Sequence, residues 1–347
     1  MSILPFSKDL FNFDDEISKS ELQKICADPK VKCVQTSTAT KRKAFELIND
    51  YVAIQRPDIL IRLYGYYKTG CDLSVLSYLK AVKRLSIDCM LQAENISYIT
   101  ELPLLNEVSV GIFNIVDFEF LAGLPSSIIS LGLHATKSKK PMLKHLQRFK
   151  GLQTLYLEGQ QNHIEAISNL HELQDLTLRS ISTPNIDYLS PLKKIRSLDI
   201  KLGGIKNFNA AAELANLKYL ELWHVRNLSS LEFLGKIKSL QYLFLQDLPL
   251  VKKLPQLTNS VNLRRIHIQN LKGLTDFSCL SSAPALEDFA LIMGQKQTTE
   301  NLEPLLRNKS LKKALLGFGK KKEALEFAKR LEDKGVKKFT YEPFQFH

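Results

Sequence analysis

The sequence predicts an α/β solenoid: a curved parallel sheet on a concave face, short helical or 3₁₀ turns on the convex face, and a cap at each end. The first observation is local. Leu220 and Leu222, and again Leu243 and Leu245, alternate with polar or aromatic residues, the period of two that marks a half-buried strand. The second is the register. Equivalent apolar residues fall at Ile61, Leu85, Val108, Leu131, Leu155, Leu176, Leu198, Leu220, Leu243, Ile266 and Phe289, always 21 to 24 residues apart. Strands so spaced are successive rungs of an array and not the arms of a tight hairpin. The third is the return path. A period near 22 leaves too few residues for a full helix behind each strand. The returns instead carry a compact second apolar pattern: Phe118 with Leu121, Leu189 with Leu192, Phe233 with Leu234, Phe277 with Leu280. Each reads as a single helical or 3₁₀ turn packing inward.

Residues 1–57 lack the repeat and form the expected N-terminal cap. A terminal rung leaves its apolar end open, so arrays need such covers. The spacing predicts a short strand over 31–34 and a helix over 41–55, with Ala44, Phe45, Ile48, Tyr51 and Val52 on one face. Thr40 is its expected N-cap and Pro57 its stop. The opening residues, with Asp14, Asp15 and Glu16, are expected to be loosely ordered. The repeats occupy 58–318, and weaker units follow at 311–316 and 336–341. Residues 319–347 form the expected C-terminal cap: a helix over 320–334 built on Ala324, Leu325, Phe327, Ala328 and Leu331, stopped by Gly335, then a last strand.

The repeat copies LQTLYL (152–157), LQDLTL (173–178), LKYLEL (217–222), LQYLFL (240–245) and LRRIHI (263–268) resemble the leucine-rich repeat family, in its short-period bacterial or intracellular type. The family often has an asparagine three residues after the sixth-place leucine. This chain has Tyr66, Met90, Phe113, Thr136, Gln160, Ile181, Gly203, Val225, Leu248, Leu271 and Gly294 there. No asparagine ladder forms, so the turns must satisfy their backbone groups by other means. The resemblance implies macromolecular recognition on the concave face, as a scaffold, adaptor or inhibitor. An immunity protein that neutralises a toxin is an alternative of the same kind.

Alternation sends fourth- and sixth-place side chains into the core and third-, fifth- and seventh-place side chains outward. One rung then presents Tyr219, Glu221 and Trp223, the next Tyr242, Phe244 and Gln246, and the next Arg265, His267 and Gln269. An earlier rung presents Tyr156 beside Glu158. Trp, Tyr and Arg dominate binding hot spots, and rigid strands lose little freedom on binding. The expected partner site is therefore Tyr219, Glu221, Trp223, Tyr242, Phe244, Gln246, Arg265 and His267, with Tyr156. Its expected ligand is a protein. Two explanations compete with it: strands favour aromatic residues for cross-strand packing alone, and the cluster could be buried under a cap or a second copy of the chain.

The formal net charge is +12, concentrated in Lys137, Lys139, Lys140, Lys144, Arg148 and Lys150, and again in Lys312, Lys313 and Lys320 to Lys322. A nucleic-acid or anionic-surface binder working through the first block is the remaining alternative. That block lies in a return segment without interleaved aromatics, which argues against nucleic acid. The five cysteines are scattered and no Cys/His cluster has metal-ligand spacing, so a reduced, cytoplasmic chain without metal is expected. Nothing in the sequence has the length of a membrane span, and residues 1–8 lack the pattern of a secretory signal. Asp175, Asp199 and Glu221 line up on the outward rows, but no phosphate loop or nucleophile elbow accompanies them. No catalysis and no cofactor are expected.

Overall fold

The computed structural model describes residues 9–66 and 70–347, in two compact units, Met1–Leu173 and Gln174–His347. The first unit contains β1 (Leu10–Asn12), α1 (Lys19–Ala27), β2 (Cys33–Thr36), α2 (Arg42–Leu47), β3 (Leu60–Tyr64), β4 (Cys71–Asp72), β5 (Arg84–Met90), β6 (Ala93–Glu94), β7 (Glu107–Ile112), β8 (Ser130–Leu133) and β9 (Thr154–Glu158). The second contains β10 (Asp175–Arg179), β11 (Ser197–Lys201), β12 (Tyr219–Trp223), β13 (Tyr242–Gln246), β14 (Arg265–Gln269), β15 (Asp288–Gly294), α3 (Thr299–Leu302), β16 (Lys313–Phe318), α4 (Lys321–Glu332) and β17 (Lys337–Lys338).

Each unit is a parallel ladder in which every strand pairs with its neighbour in sequence, except that β4 and β6 form a small pair of their own. Fourth-place residues lie side by side. In the first unit the row runs Phe11, Val34, Ile61, Leu85, Val108, Leu131, Leu155. In the second it runs Leu176, Leu198, Leu220, Leu243, Ile266, Phe289, Ala314. Leu220, Leu222, Leu243 and Leu245 are all essentially inaccessible. Each such side chain stabilises the fold by roughly 1.5–3 kcal/mol relative to exposure.

Most returns carry a 3₁₀ turn, as the spacing predicts, although the one between β13 and β14 has none. Glu119–Ala122, Asp187–Leu189, Glu232–Lys236 and Ser278–Ser282 bury Leu121, Leu189, Phe233 with Leu234, and Leu280. Phe208 and Phe233, from successive returns, stack at 5.5 Å.

Without an asparagine ladder, the turns solve the backbone problem in two ways. The residue two places beyond the sixth-place position adopts left-handed backbone: Cys89, Ser180, Leu202, His224, Asp247, Asn270 and Met293 have φ between 51° and 56°, and Gly159 has 77°. In the second unit its N–H donates to the seventh-place carbonyl of the next rung: Ser180 to Lys201 at 2.7 Å, Leu202 to Trp223 at 2.8 Å, His224 to Gln246 at 2.9 Å. Amide side chains do the rest. Buried Gln160 donates to the Thr136 hydroxyl and the Ser138 carbonyl, and buried Gln297 to the carbonyls of Leu271 and Leu274.

The loose order expected of residues 1–8 lies outside the described residues; from Asp9 onward the chain differs from that expectation. The segment around Asp14 and Asp15 is built into the fold: β1 extends the ladder, and α1 begins at a capping box in which Ser18 and Glu21 bind each other's backbone. The strand expected at 31–34 lies at Cys33–Thr36. Thr40 does not cap α2. Its hydroxyl bonds to Thr36 and Thr38, and the cap position is Lys41, whose N–H donates to Asp15. The helix continues past Leu47 as a π-helical turn, Ile48–Ala53. Among the described residues, no helix is long and apolar enough to cross a membrane.

Candidate interaction face

Parallel register sets the outward rows edge to edge in the second unit. Tyr219 lies beside Tyr242, Glu221 beside Phe244, and Trp223 beside Gln246. On the next strand Tyr242 lies beside Arg265 and Phe244 beside His267. The Tyr219 and Tyr242 rings meet edge-on at 5.0 Å, and Phe244 meets the His267 ring at 4.5 Å. Trp223 is held by its indole N–H, which donates to Asp247 Oδ2 at 3.2 Å, the oxygen that also accepts from Gln246 at 3.1 Å. The Arg179 guanidinium lies 5.8 Å from the indole. These contacts fix rotamers that would otherwise lose freedom on binding. Tyr219, Glu221, Trp223, Tyr242, Phe244 and Gln246 are all half-buried.

Arg265 and His267 correct the sequence reading. Both were expected in solvent, yet they are 7% and 6% exposed. The cause is residues 339–347, which pass back over the face as a strap. Arg265 donates to the Glu342 carbonyl at 3.0 Å and its guanidinium lies 4.9 Å from both the Phe339 and Phe344 rings. Phe344 also packs on Tyr242 at 5.3 Å, and Tyr341 on His267 at 5.7 Å. The strand expected over 336–341 is only Lys337–Lys338, and the chain then leaves the ladder to make this crossing. A signal was present in the sequence: Tyr341, Phe344 and Phe346 are closely spaced aromatic residues outside any repeat.

Burial shapes the electrostatics of the rows. Removal from water pushes the His267 imidazole down to about 4, helped by the Arg265 charge, so the ring is neutral at pH 7. Burial pushes the Asp199 carboxyl up to about 6, against the opposing pull of Lys201 and with the repulsion of Glu221. Lys201 Nζ lies 3.7 Å from Asp199 and 3.2 Å from Glu221. The Tyr219 hydroxyl donates to Glu221 at 2.9 Å, and burial, then that carboxylate, raise the phenol far above its usual range. The aligned carboxylates are thus tied to a lysine and a tyrosine, an arrangement that orients charge for a partner.

Tyr156 lies in the first unit, in a cluster that the sequence reading missed. Its hydroxyl donates to Glu158 at 2.9 Å and its ring lies 4.8 Å from His134. His134 Nε2 is 3.0 Å from the Ser109 hydroxyl, and Nδ1 is 3.8 Å from Glu158. The order of types is that of a nucleophile, a base and an acid. The acid contact, at 3.8 Å, is beyond hydrogen-bond reach, however. Lys139, Lys144 and Arg148 of the basic block, with His145, are engaged within the fold. Lys144 and His145 bind Glu119 at 3.0 and 2.9 Å, Arg148 donates to the carbonyls of Leu121 and Leu124, and Lys139 to that of Gly159. Among the described residues, no group of three or more His, Cys, Asp or Glu is placed to hold a metal ion.

No family model matches the sequence. No curated protein matches it either. Solved structures do. An internalin (inlF) from Listeria monocytogenes str. 4b F2365 superposes with a TM-score of 0.60 over 93% of this chain and 94% of that one, at 18% identity. An internalin C2 (inlC2) from the same strain gives a TM-score of 0.44 over 65% of this chain and 91% of that one, at 19% identity. Identity this low speaks to architecture. With the ladder, the inward leucines and the 3₁₀ returns, that architecture is the leucine-rich repeat solenoid.

Proposed function

We propose that the chain is a non-catalytic protein-interaction module whose outward face in the second unit binds a protein partner, as a scaffold, adaptor or inhibitor. The observation that carries this reading is the set Trp223, Phe244 and Tyr219: three aromatic side chains, half-open to water, on two adjacent strands whose backbone cannot adjust. An amphipathic anchor of this type, surrounded by oriented charges such as Glu221 and Lys201, is the usual composition of a hot spot. Gln246 fixes the same Asp247 that holds Trp223, so it serves orientation more than contact.

The test is affinity capture from cells that make the protein, then titration of the captured partner against native chain, Trp223→Ala and Phe244→Ala. Each truncation is expected to weaken binding by about 2 kcal/mol or more, roughly 30-fold. Unchanged affinity in both variants, with native unfolding transitions, would overturn the reading.

A further inference from the structure

The strap over the face has features that packing alone does not require. Its grip is on main chain. Arg265 donates to the Glu342 carbonyl, Arg264 to the Gln345 carbonyl, and Gln241 and Lys218 to the His347 carbonyl. The face therefore offers a row of side-chain donors to the backbone of an extended segment, a mode of recognition largely indifferent to that segment's sequence. One strap side chain is half-buried. Phe344 lies against Tyr242, with the Arg264 guanidinium at 4.6 Å and Arg265 at 4.9 Å. Its neighbours are shallow: Tyr341 is 63% exposed and Phe346 46%.

The strap also sits outside the ladder. Among the described residues, strand-type pairing ends where the Phe339 N–H donates to the Ala314 carbonyl at 2.9 Å. Lifting 341–347 breaks no rung. An open recess of about 390 Å³ lies beside the strap at His347, with Gln241, Arg264, Glu287 and Lys312 among its lining.

We propose that this seat is a peptide-binding groove and that 341–347 is its built-in, displaceable occupant. The outside ligand it fits is an extended peptide with the pattern aromatic-X-aromatic, as in Phe344-Gln345-Phe346, entering with its carbonyls toward Arg264, Arg265 and Gln241. The inference rests on the reading that the outward face is the binding face, and adds what the partner presents and what it must move. An intramolecular occupant lowers apparent affinity by the fraction of time the groove is closed.

The test uses the full chain and a labelled nonapeptide with the sequence of residues 339–347, followed by fluorescence anisotropy. The variant F344A/F346A loosens the strap without touching the groove. The nonapeptide is expected to bind that variant about ten-fold more tightly than native chain, as for a groove closed about nine-tenths of the time. Adding Arg264→Gln, which removes a donor from the groove wall, is expected to reverse most of that gain. Equal affinity for native chain and F344A/F346A overturns the proposal, as does no binding to F344A/F346A with a native urea transition. If F344A/F346A does not fold, Pro343→Gly, which loosens the same segment while keeping both rings, takes its place with the same criteria. No partner protein enters the measurement. Peptide binding with a failed capture experiment would leave the groove intact and remove the hot-spot reading, and the converse would do the opposite.

Discussion

Arg265 and Asp288 form an ion pair across adjacent strands, with Nη2 to Oδ2 at 2.7 Å and Nε to the same oxygen at 3.0 Å. Their side chains are only 9% and 13% exposed. The pair is enclosed because Phe339 and Phe344 close over the guanidinium. Enclosure changes what such a pair does. In water it contributes little, whereas removing one partner of a buried pair strands the other charge.

Arg265→Met is therefore expected to destabilise the chain by about 3 kcal/mol, because Asp288 keeps its charge without a donor. Arg265→Met combined with Asp288→Leu is expected to recover much of that loss. Urea midpoints of the two variants against native chain check this. The single variant is also expected to speed amide hydrogen exchange across 339–347, since Arg265 holds the Glu342 carbonyl.

A pH dependence follows from His267. Its folded pKa, about 4, lies below the ordinary histidine value, so between pH 4 and 6.5 the unfolded chain binds the extra proton. The stabilisation from the neutral ring is fully present above pH 6.5 and is lost progressively as pH falls toward 4. Protonation would place a cation beside Arg265, against the rings of Phe244 and Tyr341 and with the Tyr341 hydroxyl 3.5 Å from Nε2. The expected loss is on the order of 2 kcal/mol between pH 7 and pH 4.5. His267→Gln should lack this component. Denaturant titrations at the two pH values decide it: a His267→Gln chain with the native slope would show that the histidine titrates normally.

The rungs were legible because every strand carries its own local evidence. Leu198, Leu220 and Leu243 each sit in an apolar alternation, and a strand needs no distant information to declare which face is buried. Trp223 and Phe244 were legible for the same reason. Arg265 and His267 were not. Their cover comes from Glu342 and Tyr341, more than 70 residues away, and no periodicity predicts where a segment outside the ladder will settle. The helix α1 was lost differently. Its capping box, Ser18 with Glu21, is a local signal that the acidic run Asp14 to Glu16 obscured. The left-handed residue at the end of each strand has no common side chain, being Cys89, Ser180, Leu202 or His224 by turns, so composition conceals a constraint that geometry makes plain.

Asp199 gives a prediction of opposite sign to His267. Burial raises its carboxyl to about 6, above the unfolded value, so the folded state prefers it protonated. The penalty for the charged form is absent below about pH 4 and complete above pH 6. Among the described residues its Oδ1 has no hydrogen-bond partner, and Lys201 stands closer to Glu221 than to it. Asp199→Asn keeps the shape and removes the charge, while Lys201 retains Glu221. It is expected to be more stable than native chain at pH 7.5 by on the order of 1 kcal/mol, with the gap closing by pH 4. Thermal or urea unfolding at both pH values checks it, and a less stable variant at pH 7.5 would mean that the Lys201 contact outweighs desolvation.

The strand-end backbone offers a test that touches no candidate site. Met293 has φ 56° and is 49% exposed, so its side chain contributes strain and little packing. A left-handed residue with a Cβ costs roughly 1–2 kcal/mol, and glycine there escapes it at an entropic cost of roughly 0.5–1 kcal/mol. Met293→Gly is expected to be neutral or stabilising by about 0.5 kcal/mol. Gly159 holds the equivalent position with φ 77°, and a Cβ there would lie 2.7 Å from Lys139 Nζ, a flexible end that can move. The backbone cannot, so Gly159→Ala is expected to destabilise by about 1 kcal/mol. The two urea midpoints should move in opposite directions, or Met293 not at all. A clear loss at Met293→Gly would show that its side chain packs on the strand end strongly enough to hold the left-handed turn in place.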